Sequence, residues 1–136
     1  MNHHSFINPT FTYAIVGATE NHEKYGWIVF DNLKRKGFHV VPVNPKYKLI
    51  DGVVCYPNLS AISSKPDVVV LVIPPERGVE VVEEVVKLGI KKIWCQPGAE
   101  SEGLKQLAEQ YGIEIVADGS CLMVVTNYSD SLLDGK

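Results

Sequence analysis

One kind of joint between a helix and a strand occurs three times in this chain of 136 residues. Each joint consists of a helix end, a glycine and the apolar start of a strand. The three are Lys36-Gly37-Phe38, Leu88-Gly89-Ile90 and Tyr111-Gly112-Ile113. A glycine at this place ends a helix because it enters the left-handed conformation without strain. Joints of one kind, alternating with strand-to-helix turns, predict a doubly wound parallel α/β sheet.

Hydrophobic periodicity places the elements between these joints. The unbroken apolar run over 68–73 indicates a strand buried on both faces. The predicted strands are 13–16, 38–43, 52–56, 68–73, 90–95 and 113–116, and the predicted helices are 25–36, 76–88 and 101–111. Right-handed crossovers favour a three-layer, Rossmann-like fold with strand order 3-2-1-4-5-6. We expect a single domain over residues 1–136, with its core at about 12–126 and a short closing element over 121–126.

Composition argues against several classes of partner and site. The net charge of −3 disfavours nucleic acid. No apolar run approaches the ~20 residues of a membrane span, so we expect no membrane partner. The cysteines Cys55, Cys95 and Cys121 are far apart and include no C-x-x-C pair, which indicates neither a disulfide framework nor a zinc site. We therefore expect a cytoplasmic protein without a metal.

The turn after the first strand is the strongest indication of a binding site. Gly17-Ala18-Thr19 ends that strand, and a polar loop then leads to a helix from about Tyr25. A strand that delivers a glycine turn to a helix start places backbone N–H groups and the positive helix end beside one space, which suits phosphate. The carboxyl ends of parallel strands meet at one edge of the sheet. The other turns expected there are Asn44-Pro45-Lys46, Ile73-Pro74-Pro75, Gln96-Pro97-Gly98 and Asp118-Gly119-Ser120.

Two features of these turns restrict the nucleotide. The first turn lacks the G-x-G-x-x-G pattern of dinucleotide sites, and the second strand ends in Asn44-Pro45-Lys46 instead of an acidic residue for the ribose. A lysine there disfavours NAD and suits a ribose that carries a phosphate. Coenzyme A and NADP both meet this condition, with Lys46 or Lys48 as the contact to the phosphate.

Four motifs carry a resemblance to a known family. Val16-Gly-Ala-Thr-Glu-Asn-His-Glu-Lys-Tyr-Gly26, Val41-Pro-Val-Asn-Pro45, Val72-Ile-Pro-Pro75 and Trp94-Cys-Gln-Pro-Gly-Ala99 occur in this order. Over about 12–126 the chain resembles small stand-alone CoA-binding proteins, which are similar to the N-terminal CoA-binding domain of the succinyl-CoA synthetase alpha subunit. The resemblance implies that coenzyme A or acyl-CoA binds across the switch point of a Rossmann-like fold.

The resemblance also implies roles for individual residues. Gly17, Ala18 and Thr19 would hold the pyrophosphate, and the loop at Lys24, Tyr25 and Gly26 would close over it. Asn44, Pro45 and Lys46 would border the adenosine and its 3′-phosphate. Ile73, Pro74 and Pro75 would pack on the adenine or pantetheine, and Gln96, Pro97 and Gly98 would line the pantetheine path.

The sequence does not indicate a set of catalytic residues. The phosphorylated histidine and partner subunit that a succinyl-CoA synthetase needs have no counterpart in these motifs, so we expect binding without catalysis. Two alternatives stay open: an NADP-binding or redox-regulatory domain, and an enzyme of CoA thiol chemistry that uses Cys121, for example through a mixed disulfide with CoA. A protein partner or a homo-oligomer also stays possible.

Overall fold

The computed structural model describes residues 3–128, without the side chain of Tyr128, so the ends of the expected domain at 1–2 and 129–136 lie outside it. The strands are β1 (Thr12–Val16), β2 (His39–Val43), β3 (Leu49–Ile50), β4 (Val53–Val54), β5 (Val68–Leu71), β6 (Lys92–Cys95) and β7 (Glu114–Val116). The helices are α1 (Tyr25–Arg35), α2 (Pro75–Leu88), α3 (Glu102–Gln110) and α4 (Leu122–Tyr128). The predicted closing element is helix α4. None of the described helices has the length and apolar character to cross a membrane.

The main sheet is parallel and has five strands in the order β2-β1-β5-β6-β7. Ala14 of β1 pairs with Val41 of β2 on one side and with Val69 of β5 on the other. The chain runs outward in one direction from β1 to β2 and in the other from β5 to β7, so the switch point lies between β1 and β5. The doubly wound Rossmann-like fold is confirmed.

The outermost predicted strand, over 52–56, differs from expectation. Only Tyr56 reaches the main sheet, through a single parallel bridge to Val43. Val53–Val54 instead pair with Leu49–Ile50 as an antiparallel hairpin. The reason is the turn between them: Asp51 and Gly52 both have positive φ, 49° and 79°, and Asp-Gly favours the type I′ turn that folds a chain back on itself.

Helices cover both faces of the sheet and complete three layers. On one face Tyr13 and Ile15 pack against Phe30 of α1 and Leu122 of α4. On the other face lies a second cluster, which includes Ala14 and Leu71 from the strands, Val82 of α2 and Leu104 of α3. All four residues of β5 are fully buried, as predicted for a strand covered on both sides.

Candidate functional site

A cleft of about 750 Å³ lies at the carboxyl ends of the central strands. Its walls come from the turns after β1, β2, β5 and β6 and from the first turns of α1 and α2. In open α/β sheets this edge, at the switch point, is where ligands bind. The volume is also that of a site for a cofactor-sized molecule.

The cleft brings together most of the residues predicted for it. It is lined by Gly17, Thr19, Lys24, Tyr25, Gly26, Asn44, Pro45, Lys46, Ile73, Pro74, Pro75, Pro97 and Gly98. Two predicted residues lie beneath the surface instead. Ala18 is fully buried in the core, and its carbonyl oxygen accepts a hydrogen bond from Asn44 Nδ2 at 2.8 Å. Gln96 is also fully buried because its side chain turns away from the cleft toward α4, where its Oε1 accepts from the backbone N–H of Leu122.

Close backbone contacts require glycine both in the turn after β1, at Gly17, and in the first turn of α1, at Gly26. Gly17 has φ +103°, and a Cβ on it would meet the carbonyl oxygen of Val72. A Cβ on Gly26 would meet the carbonyl oxygen of Gly17. Helix α1 therefore begins directly against the glycine turn, with no room for a side chain between them.

Two helix starts that line the cleft have no side-chain cap. Within residues 3–128, neither Lys24 before α1 nor Pro74 before α2 makes a side-chain hydrogen bond to the first turn. Helix α3, by contrast, is capped by Ser101, whose Oγ accepts from Leu104 N at 3.1 Å. The start of α1 lines the cleft, so its uncapped backbone N–H groups and its positive dipole end lie beside the cleft, an arrangement that favours an anion.

The charged side chains around the cleft divide into two groups. Lys24, Lys46 and Arg77 add positive charge to its walls, whereas Glu80 and Glu84 add negative charge. Glu84 is already engaged, since its Oε2 accepts from both the backbone N–H and the hydroxyl of Ser60, at 3.0 and 2.7 Å. Three positive and two negative side chains therefore line the cleft.

Sequence reasoning missed Tyr47, Asn58 and Arg77, which also line the cleft. The position of Arg77 in the cleft could have been predicted, because the first turn of a helix after a central strand must border the switch point. Tyr47 lies in the turn after β2, where its N–H donates to the carbonyl oxygen of Asn44. Its hydroxyl lies 3.0 Å from Thr19 Oγ1, and no local pattern predicts this contact between two loops. No group of three or more histidine, cysteine or acidic residues in the described part of the chain is placed to hold a metal ion.

Cys121 belongs to a small polar cluster behind Tyr25. Its Sγ lies 3.4 Å from both Tyr25 Oη and Gln96 Nε2, and Gln96 Nε2 also donates to Tyr25 Oη at 2.9 Å. Burial raises the pKa of the Cys121 thiol, but hydrogen bonds from Tyr25, Gln96 and nearby backbone N–H groups outweigh it, so the pKa is lowered overall. Burial raises the pKa of Cys95 to about 12 and also raises that of Cys55.

This cluster predicts selective alkylation of Cys121. Because the thiolate is the reactive form, iodoacetamide at neutral pH should modify Cys121 before the two buried cysteines. Tyr25→Phe removes a hydrogen bond that lowers the Cys121 pKa, so the midpoint of the rate–pH profile should move to higher pH. Peptide mass spectrometry at several pH values measures this, with Tyr111→Phe as the exposed tyrosine control. An unchanged midpoint in Tyr25→Phe would contradict the role given to its hydroxyl.

Comparisons with known proteins identify the family of this chain. Among curated proteins, the chain is similar to an ADP-forming acetate–CoA ligase from Methanocaldococcus jannaschii, at 29% identity over 90% of this chain. It spans only 18% of the length of that relative. It is also 25% identical to the uncharacterized protein YneT of Bacillus subtilis, with 77% of this chain and 78% of that protein aligned.

Solved structures give the same result. A conserved hypothetical protein from Pyrococcus furiosus is 44% identical, with a TM-score of 0.81 over 85% of this chain and 98% of that one. A dinucleotide-forming acetyl-coenzyme A synthetase from Korarchaeum cryptofilum, solved with phosphate and ADP, is 28% identical, with a TM-score of 0.72 over 87% of this chain and 27% of that one. The family model described as a CoA binding domain matches residues 11–127. The chain therefore belongs to the CoA-binding domain family.

Proposed function

We propose that this chain binds coenzyme A or an acyl-CoA in the cleft and has no catalytic step of its own. The observation that carries the proposal is the pairing of an anion-favouring start of α1 with Lys46 on another wall of the same cleft. Coenzyme A has a diphosphate for the first feature and a 3′-phosphate on its ribose for the second. The family supports the same ligand class.

The proposed ligand lies across the switch point. The diphosphate meets Gly17, Thr19 and the first turn of α1, and the ribose phosphate meets Lys46. The pantetheine arm then follows the apolar wall. That wall consists of Ile73, Pro74 and Pro75 and continues to Pro97 and Gly98. Ala18 and Gln96 support these walls from beneath.

A thermal-shift panel with CoA, acetyl-CoA, NADP and NAD tests the ligand class. A ligand that binds the folded state alone raises the melting temperature by mass action. We expect stabilisation by CoA and acetyl-CoA and none by NAD. Stabilisation by NADP without any by CoA would overturn the proposal and favour the redox-regulatory alternative.

Lys46→Ala should weaken CoA binding about five- to tenfold, because it removes a charge-assisted contact to the 3′-phosphate at a partly solvated site. Affinity for 3′-dephospho-CoA, which lacks this phosphate, should change little. Calorimetric titration of both ligands measures the difference. Lys48→Ala is the matched control, since Lys48 is an exposed lysine outside the set of cleft residues. An equal loss for both ligands would exclude Lys46 as the phosphate contact.

A further inference from the structure

The loop between β1 and α1 is held in place by the segment that follows β2. Asn44 Nδ2 donates to the carbonyl oxygen of Ala18, and the hydroxyl of Tyr47 meets Thr19 Oγ1. Both contacts lie at the beginning of the loop, close to the cleft. The rest of the loop, over 20–24, is exposed. It has internal hydrogen bonds, such as the one from Glu23 N to Asn21 Oδ1 at 3.0 Å, and it also has support from the β3–β4 hairpin.

Asp51, in the turn of the β3–β4 hairpin, supplies that support. Its backbone N–H donates to Glu20 Oε1 at 2.7 Å, and its Oδ1 lies 3.1 Å from His22 Nε2. Its Oδ2 accepts from Trp27 Nε1 at 2.6 Å. The rings of His22 and Trp27 stack, with centroids 3.9 Å apart and planes at 20°. One residue outside the cleft is thus bonded to the middle of the loop and to the first turn of α1.

The hairpin that carries Asp51 is itself held firmly in the structure. Ile50, next to Asp51, is fully buried in the core. The hairpin is closed by a hydrogen bond from Cys55 N to the carbonyl oxygen of Lys48 at 2.8 Å. The hydrogen bond from Trp27, together with His22 and the charge of Lys34, holds the pKa of the Asp51 carboxyl below its ordinary value, so the contacts are made by a carboxylate.

We propose that Asp51 is a positioning residue that holds the loop 17–24 in the shape that receives the diphosphate. The inference rests on the proposed function, since it assumes that this loop meets the ligand. Ordering an exposed loop costs conformational entropy, which the contacts of Asp51 offset before the ligand arrives. Without them the loop is in the competent shape only part of the time, and the apparent affinity falls by that fraction.

The test uses two substitutions of Asp51. Asp51→Gly deletes the carboxylate but keeps the turn, because glycine accepts the positive φ of this position. We expect it to weaken binding of both CoA and 3′-dephospho-CoA about tenfold. Asp51→Asn keeps an oxygen that accepts from Trp27 Nε1 and should restore affinity to within about threefold of wild type.

Asp31→Ala is the matched control. It removes a carboxylate from α1 whose Oδ2 pairs with Arg35 Nε at 2.7 Å, and we expect unchanged affinity. Tryptophan fluorescence gives a second readout, because Trp27 Nε1 loses its hydrogen bond to the Asp51 carboxylate in Asp51→Gly while Trp94 stays buried. The emission of Trp27 should shift to longer wavelength without a comparable loss of stability of the protein.

The outcomes separate the two proposals. If the wild-type protein binds CoA and Asp51→Gly binds it equally well, the positioning role is wrong and the proposed function stands. If the wild-type protein binds neither CoA nor its dephospho form, the proposed function fails, and the inference fails with it. A tenfold loss shared by both ligands and largely restored by asparagine supports the positioning role.

Discussion

Gly26→Ala should abolish detectable CoA binding and lower the free energy of unfolding by about 3 kcal/mol. The added Cβ would meet the carbonyl oxygen of Gly17, which is backbone. Gly17 cannot give way easily, because the carbonyl oxygen of Val72 occupies the space beside it where a Cβ would lie, and its N–H is bonded to the carbonyl oxygen of Val43 at 3.0 Å. The start of α1 must therefore move away from the glycine turn. Urea unfolding followed by circular dichroism and calorimetric titration with CoA measure the two effects.

Two other helical glycines provide the controls. Gly103, in the first turn of α3, has nothing within 4 Å of an added Cβ, so Gly103→Ala should stabilise the protein by about 0.5–1 kcal/mol through helix propensity. At Gly78 a Cβ would lie 3.0 Å from the end of the Leu104 side chain, which can shift, so its cost should be intermediate. A Gly26→Ala protein as stable as Gly103→Ala, with intact CoA binding, would contradict the close approach.

The fold was largely predictable because glycine marks the joints at which helices end and strands begin. Glycines at positive φ end the predicted segments, among them Gly37, Gly89 and Gly112. These positions fix where the chain leaves a helix, and the apolar run of β5 then fixes which strand is central. Once the topology is doubly wound, the turns after the strands must share one edge, so the cleft residues follow from the order of elements.

The β3–β4 hairpin could have been predicted from its local sequence. Asp51-Gly52 between two short apolar pairs is the sequence of a type I′ turn, yet residues 52–56 were predicted as one strand of the main sheet. The contacts of Asp51 depend on this hairpin. They could not be inferred once it was taken for a sheet strand.

Gln96 illustrates a different limit. Its place at the end of β6 was predicted, but the pleat of the strand decides which way its side chain turns. Trp94 packs with the layer of α1 and α4, and Cys95 packs with the layer of α2 and α3. By alternation Gln96 turns to the same side as Trp94, toward α4. The alternation of side chains along β6 can be predicted from the sequence. The need for an amide side chain at position 96 cannot, because the sequence does not identify α4 as the partner of Gln96.

Gln96→Leu should lower the free energy of unfolding by about 2–3 kcal/mol. The substitution removes the acceptor that lies 2.7 Å from Leu122 N and the donor that lies 2.9 Å from Tyr25 Oη. Leucine fills a similar volume, so the loss comes from the buried N–H group at the start of α4, which is left without a partner. Urea unfolding measures the change. Gln106→Leu, at an exposed position of α3, should cost less than about 0.5 kcal/mol.

Tyr25→Phe separates the hydrogen bond to Tyr25 from the other contacts of Gln96, because it removes only the tyrosine hydroxyl and leaves Leu122 N paired and Gln96 Nε2 beside Cys121 Sγ. We expect it to cost about 1 kcal/mol or less, since Tyr25 is 37% exposed. The larger loss in Gln96→Leu would then come from the start of α4, and amide hydrogen exchange in the first turn of α4 should be faster in Gln96→Leu than in the wild-type protein. Equal losses in the two variants would place the energetic role of Gln96 at the cleft wall instead, which the buried position of its amide argues against.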